Sequence, residues 1–166
     1  LASCLINIIR FNEGHQNNQS TINAATALVS HSLDCADISM AEAQEMPYHN
    51  IHHILGGTLP SMIIMLAGAD ANNLSASQPE DMINIPDQED MLALLIGNIL
   101  HDSIYTYGRQ TGINEQEALI HGLTYLAAKS ESDELALLGK LSGRISQVIL
   151  ATIPQYRSNL IPHPYS

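Results

Sequence analysis

The sequence predicts an all-α fold, in which amphipathic helices form a bundle around one apolar helix. Apolar residues recur at spacings of three and four along most of the chain, which is the period of a helix. No segment of useful length shows the alternation of apolar and polar residues that is typical of a strand. A chain of 166 residues can enclose a sizeable core, so we treat residues 1–166 as a single domain.

Five helices are expected, and capping residues mark the start of the first and the fifth. Ser20 suits the N-cap of the first helix, and Ser132, followed by two acidic residues, opens the fifth. The fourth helix covers Asn114 to Lys129. The side chains expected to face the core are Ile22, Ala25, Leu28, Val29 and Ser32 in the first helix, Leu119, Leu123 and Leu126 in the fourth, and Leu138, Leu141, Ile145, Val148 and Ile149 in the fifth.

The second and third helices differ in their regularity. The second covers His49 to Gly68, and we expect Gly56-Gly57 and Pro60 to kink or split it. The third covers Met91 to about Tyr107 and is apolar on nearly every side, which places it at the centre of the bundle. Between them, Ala69 to Glu89 is rich in Asn, Ser, Asp and Pro and is expected to be a long surface loop.

The charge balance excludes one class of partner. Six basic and 17 acidic residues give a formal net charge of −11, which disfavours binding of long nucleic acid. A small anionic substrate remains compatible with this charge if a bound cation reverses the local potential.

The cysteines and the apolar segments bear on disulfide bonding and on the cellular location of the protein. Cys4 and Cys35 lie far apart and lack Cys-x-x-Cys spacing, so we expect neither a disulfide framework nor a zinc knuckle. No apolar segment approaches the ~18 residues that span a bilayer, and we expect a soluble, cytoplasmic protein. Leu1-Ala2-Ser3-Cys4 also has the form of a lipoprotein cleavage box. Because Leu1 stands where an initiator Met is usual, we expect the chain to be truncated at one or both ends.

Polar residues suited to metal binding occur at two places. His101 and Asp102 end the apolar run that begins at Met91, and burying them is costly unless they are coordinated or hydrogen-bonded. His49 and His53 are four residues apart, so on a helix they share one face. Imidazole nitrogen together with carboxylate oxygen suits a divalent ion of Mn, Fe, Mg, Ni or Zn, and the sequence does not choose among these metals.

The order of these motifs resembles a known superfamily. Tyr48-His49-Asn50-x-x-His53, then His101-Asp102-x-x-Tyr105, then Asn114-Glu115 with Ala118 are similar to the motifs of HD-domain metal-dependent phosphohydrolases, in particular a branch of small predicted phosphohydrolases. The resemblance covers about Pro47 to Gln155. It implies an HD-like helical bundle and a small phosphorylated substrate, such as a nucleotide.

The resemblance also implies roles for individual residues. His53, His101 and Asp102 would be metal ligands, and His49 would donate a proton to the leaving group or contact the substrate. Asn50 would cap or orient the helix that carries the ligands, or contact the substrate.

The superfamily closes its metal site with a late Asp, which this chain lacks after Asp133. Three explanations stay open: truncation after Ser166, replacement of that ligand by Asp133 or water, or a degenerate site.

Further residues are candidates for chemistry beside the metal. Glu115 would activate water, or would simply stabilise the N-terminus of its helix. Arg109 is the first candidate for a phosphate clamp, and Arg144 is the second. His121 lies four residues after Glu117, so the two would hold a second metal or form an ordinary hydrogen-bonded pair.

Three functions follow from these patterns. The first is a metal-dependent phosphohydrolase that acts on a nucleotide or another small phosphate ester. The second is a degenerate HD domain that binds a nucleotide or a partner protein without turnover. The third is an HD-fold oxygenase with two irons, which would need Glu117 and His121 as extra ligands. Metal content and phosphate release distinguish the three.

Overall fold

Four α-helices account for most of the residues that the structure, a computed structural model, describes: 19–42, 56, 60, 87–104, 106, 108 and 110–153. They are α1 (Gln19–Glu42), α2 (Gln88–Leu100), α3 (Ile113–Lys129) and α4 (Ser132–Ala151). No strand occurs among these residues, which confirms the predicted all-α class. None of the described helices is long and apolar enough to cross a membrane.

Several expectations concern segments outside the described residues. The expected helix from His49 to Gly68 is represented only by Gly56 and Pro60, which are both helical and exposed. The expected loop from Ala69 to Glu89 is described only from Asp87 onwards.

The apolar helix α2 lies at the centre of the described bundle, as predicted. It contacts α1, α3 and α4, and its broadest interface is with α4. Eight of its 13 residues are buried, namely Met91, Leu92, Ala93, Leu95, Ile96, Gly97, Ile99 and Leu100. Such a distribution requires neighbours on nearly every side of the helix.

Both predicted ends of α2 were wrong. The helix begins at Gln88 because Asp87 caps it: the Asp90 amide donates to the Asp87 carboxylate at 2.7 Å, and the Asp87 amide donates to Asp90 Oδ2 at 3.2 Å. This reciprocal arrangement is a capping box. The helix ends at Leu100, not near Tyr107, and the chain then turns, with the Ser103 amide donating to the Leu100 carbonyl at 2.9 Å.

Two predicted N-caps are also shifted by one or two residues. Helix α1 begins at Gln19, so Ser20 lies inside it, and its hydroxyl donates to the carboxylate of Asp133. Helix α4 begins at Ser132, with Glu131 as the N-cap, and the Glu131 amide donates to Glu134 Oε2 at 2.9 Å. The bond between Ser20 and Asp133 joins the starts of α1 and α4.

The predicted faces of the helices largely agree with the core. In α4, Leu138, Leu141, Ile145 and Ile149 are buried, whereas Val148 is half-buried. In α3, Leu126 is buried, but Leu119 and Leu123 are half-buried against the core. The small residues Ala118 and Gly122 occupy the buried positions of α3 instead, so this helix approaches its neighbours closely.

Gly97 is where α2 and α4 come closest. A Cβ atom at this position would lie 2.6 Å from Val148 Cγ1 and 2.7 Å from Val148 Cβ. Separations this short are repulsive, so the interface between the two helices requires glycine.

We therefore predict opposite effects for the same substitution at two helical glycines. Gly97→Ala lowers the free energy of unfolding by about 1–3 kcal/mol, because crowding against Val148 outweighs the better helix propensity of alanine. Gly143 is an exposed residue of α4 with open space around it, so Gly143→Ala raises the free energy of unfolding by up to about 1 kcal/mol. Urea unfolding of both variants and the wild type measures the effects, and a stabilising Gly97→Ala would contradict the close approach.

Candidate functional site

His101 and Asp102 occupy the turn directly after α2. His101 is the C-cap residue of the helix, and its amide donates to the Gly97 carbonyl at 2.9 Å. Both side chains are mostly buried, with 18% of the His101 side chain and 14% of the Asp102 side chain exposed. Because the two residues directly follow α2, the packing of this helix determines the position of their backbone.

The two nitrogens of the His101 ring have different partners. Nδ1 lies 2.7 Å from the Asn98 carbonyl oxygen, and a carbonyl can only accept, so Nδ1 carries a proton and donates it. Nε2 lies 3.1 Å from Asp102 Oδ2. The ring is therefore oriented from one side by the helix backbone and presents its second nitrogen next to a carboxylate oxygen.

The surroundings raise the pKa of His101 above its usual value. Burial is the largest single influence and acts to lower the pKa, because it disfavours the charged ring. The hydrogen bond and charge of Asp102, the bond to Asn98 and the charge of Glu115 together outweigh it. Negative charge therefore dominates the potential at the ring, which favours a positive charge there.

The same geometry fits two neighbouring ligands of one metal ion. With bonds of about 2.1 Å at a right angle, two ligand atoms on one ion lie about 3.0 Å apart. The distance from His101 Nε2 to Asp102 Oδ2, 3.1 Å, is close to this value. Histidines that bind metals usually donate their other N–H to a carbonyl or carboxylate, as His101 does to Asn98.

The rest of the expected ligand set is not described. Among residues 19–42, 87–104 and 110–153, no group of three or more His, Cys, Asp or Glu side chains converges on one point. The expected third ligand, His53, lies outside the described residues, as do His49, Asn50 and Arg109.

Glu115 lies in the first turn of α3 and is half-buried. Its negative charge is a small contribution to the raised pKa of His101, and Gly122 of the same helix lies against Leu100, the last residue of α2. The start of α3 is set by Gly112, whose φ of 90° is in the left-handed region. A Cβ atom on Gly112 would lie 3.4 Å from Ile153 Cδ1, so the start of α3 also adjoins the end of α4.

Asp133 does not lie near this site. It sits in the first turn of α4 and accepts the hydroxyl of Ser20. The opposite end of α4 is the one that adjoins Gly112, and a helix of 20 residues is about 30 Å long. The hypothesis that Asp133 supplies a fourth ligand beside His101 does not agree with these positions.

His121 and Glu117 belong to no group of three or more metal-binding side chains among the described residues. The His121 ring is exposed, and its Nε2 lies 3.4 Å from Ser39 Oγ. The Ser39 hydroxyl donates to the Cys35 carbonyl at 2.9 Å, so its proton is already engaged. Burial raises the pKa of the Cys35 thiol to about 11, which makes it unreactive near neutral pH.

Arg144 lies at the wrong end of α2 for a phosphate clamp. Its guanidinium donates to Asp87 Oδ1 at 2.7 Å and to Asp90 Oδ1 at 2.9 Å, and it lies 3.4 Å from Glu89 Oε2. These carboxylates belong to the N-terminus of α2, and the 13-residue helix separates them from His101 by about 20 Å. The hypothesis that Arg144 holds a substrate phosphate beside His101 is thus not supported by the geometry.

We predict that Arg144 stabilises the fold in a pH-dependent way. Partial burial acts to raise the pKa of Asp87, but the Asp90 amide and the bond and charge of Arg144 outweigh it and lower the pKa. A lowered carboxyl pKa contributes stability above the unfolded value of about 4, which is lost as the pH falls through the folded value.

Arg144→Met should accordingly be less stable than the wild type at pH 7, and the difference should shrink below about pH 4. Urea unfolding is the suitable measurement, because guanidinium chloride would screen the ion pairs. Equal stability of the two proteins at pH 7 would contradict this role.

Ser103 carries a buried hydroxyl without a hydrogen-bond partner. Only 2% of the residue is exposed, and its Oγ makes no hydrogen bond to any residue that the structure describes. The other buried serine, Ser32, donates to the Leu28 carbonyl at 2.7 Å. Buried polar atoms without partners are uncommon and destabilise the folded state. Among the described residues, the Oγ of Ser130 is in the same situation, so the feature is not particular to this turn.

We predict that the two buried serines respond differently to alanine. Ser103→Ala leaves the free energy of unfolding unchanged or raises it by up to about 1 kcal/mol, since it removes an unpaired polar group. Ser32→Ala lowers it by about 1 kcal/mol, because a formed hydrogen bond is lost. Equal losses in the two variants, measured by urea unfolding, would show that the Ser103 hydroxyl has a partner.

Comparison with known proteins gives no further identification. No protein-family model, curated protein or solved structure matches the chain.

Proposed function

We propose that the chain is an HD-like helical domain that holds a divalent metal ion at the end of α2 and hydrolyses a small phosphate ester, such as a nucleotide. The observation that carries the proposal is the 3.1 Å separation of His101 Nε2 and Asp102 Oδ2, with Nδ1 already occupied by the Asn98 carbonyl. His53, His101 and Asp102 would hold the ion.

The charges around the site support the need for a cation. Asp102 lies against His101 and the charge of Glu115 also acts on the ring, and these two negative charges would repel a phosphate group. The net charge of −11 adds to that repulsion. A divalent cation reverses the local potential, and when bound it polarises a phosphoryl oxygen and makes water more acidic.

The remaining chemistry falls to residues of this chain. Glu115 would accept a proton from the attacking water, since an ionised carboxylate is an acceptor. His49 would donate a proton to the leaving oxygen, for which the pKa of histidine near neutrality is suitable. Asn50 would orient the ligand helix or contact the substrate, and Arg109 would bind a phosphate oxygen.

The metal assignment is tested by removing the carboxylate of the pair. Asp102→Asn in the full chain should abolish Mn²⁺ binding, because Asp102 supplies the only anionic ligand of the proposed three. Asp133→Asn is the matched control, with the same change of charge at the remote end of α4. Titration calorimetry and metal analysis measure binding, and phosphate release from nucleotides measures turnover. Equal metal content in wild type and Asp102→Asn would overturn the assignment.

A second candidate function is a degenerate HD-like domain that binds a nucleotide or a partner protein without turnover. The remoteness of Asp133 favours it, because the described residues then offer no late carboxylate to complete the site. The same measurements separate the two functions. If the chain binds metal and nucleotide but releases phosphate with none of the divalent ions tested, the result would support the binding domain without turnover.

A further inference from the structure

One polar side chain interrupts the apolar run of α2. Between Met91 and Leu100, Asn98 is the only residue with a polar side chain. Its Nδ2 donates to the Leu94 carbonyl at 2.8 Å, one helical turn earlier. Side-chain bonds to nearby carbonyls compete with the hydrogen bonds of the helix, and asparagine forms helices less readily than leucine. Helix stability therefore does not account for an asparagine at this position.

The partly exposed positions of α2 form one stripe that leads to the candidate site. Within the ten-residue apolar run, Leu94 and Asn98 are partly exposed and the other eight residues are buried. His101 and Asp102 are also partly exposed and follow at the end of the helix. Residues with this spacing share one face of a helix. Asn98 thus lies on the same accessible stripe as the proposed metal ligands.

The backbone places Asn98 directly against the His101 ring. His101 Nδ1 lies 2.7 Å from the Asn98 carbonyl oxygen, and His101 keeps helical dihedral angles, with φ −58° and ψ −31°. Along the helix axis, Asp102 lies about 6 Å beyond Asn98. The bond to Leu94 fixes one end of the side-chain amide, and Oδ1 accepts no hydrogen bond from the described residues. An oriented acceptor is therefore available about one helical turn from the pair.

We propose that Asn98 is a specificity-determining residue, whose amide oxygen accepts a hydrogen bond from the leaving group of a phosphate ester bound at His101 and Asp102. The inference rests on the proposed function, in which the phosphate binds at this pair. Leu94 and Asn98 carry no charge, so the leaving group along the stripe is neutral. The substrate class is a phosphate monoester of an uncharged alcohol with a hydroxyl or amino donor about one helical turn, or 5–6 Å, from phosphorus.

A matched pair of esters, offered to the Mn²⁺-loaded full chain, tests the proposal. 4-Hydroxyphenyl phosphate carries a hydroxyl at the far end of its ring, and phenyl phosphate differs only in lacking it. Their leaving groups are of similar acidity, so their intrinsic reactivity is similar. Wild-type kcat/KM should be about tenfold higher for the hydroxyl-bearing ester, because an analogue without the donor leaves a polar group of the site unpaired. In Asn98→Leu the ratio should fall to about one.

Three controls separate this role from a structural one. Asn98→Leu should be at least as stable as the wild type to urea, because leucine has the higher helix propensity. Its Mn²⁺ affinity should equal that of the wild type, because the bond to His101 is made by a backbone carbonyl that any residue supplies. Asn23→Leu makes the same change at an exposed position of α1 and should keep the wild-type ratio of the two esters.

The outcomes also distinguish this inference from the proposed function. Equal kcat/KM for the two esters in the wild type, or a preference that persists in Asn98→Leu, would overturn the role of Asn98 while the hydrolase stands. So would turnover of nucleotides without turnover of either ester, or loss of Mn²⁺ binding in Asn98→Leu. A wild-type chain that binds Mn²⁺ but releases no phosphate from any ester would overturn the proposed function and this role together.

Discussion

Burial of α2 on nearly all sides is the constraint on which the described structure depends. Its eight buried residues face three other helices, and each large apolar side chain contributes about 1.5–3 kcal/mol when fully buried. The close approach of Gly97 to Val148 also prevents α2 from sliding along α4 without a steric clash. The end of α2 is thereby fixed in space, and His101 and Asp102 follow it directly.

The two ends of α2 differ in charge in a way that matches the helix dipole. Asp87, Glu89 and Asp90 lie at its N-terminus, where negative charge is favourable, and Arg144 compensates their mutual repulsion. The C-terminus carries His101, and a positive charge is favourable there. The helix dipole would stabilise either a protonated His101 ring or a bound cation. It therefore favours positive charge at the site but does not distinguish between the two.

The sequence predicted the parts of the fold that depend on local periodicity. The apolar run from Met91 to Leu100 identified the central helix, and three-and-four spacing identified α3 and α4 to within one residue at their starts. It missed the start of α2, although Asp87-x-x-Asp90 is a local capping pattern, and it missed contacts between distant residues. Asp87 caps α2 with the help of Arg144, which lies 57 positions away, and Ser20 pairs with Asp133 across 113 positions. No local pattern indicates such partners, which is why Arg144 was interpreted as a phosphate ligand.

The candidate site was predicted as a set of motifs, and the structure adds how two of them meet. His101 and Asp102 owe their position to apolar packing, which fixes a helix end but not the course of the loop after it. Glu115 lies in the first turn of α3, a helix that begins after the left-handed Gly112 and packs its Gly122 against Leu100. Hydrogen bonds on exposed loops open more easily than a packed core. The helical scaffold can therefore stay folded while the loop between α2 and α3 opens, because the contact of Gly122 with Leu100 does not involve that loop.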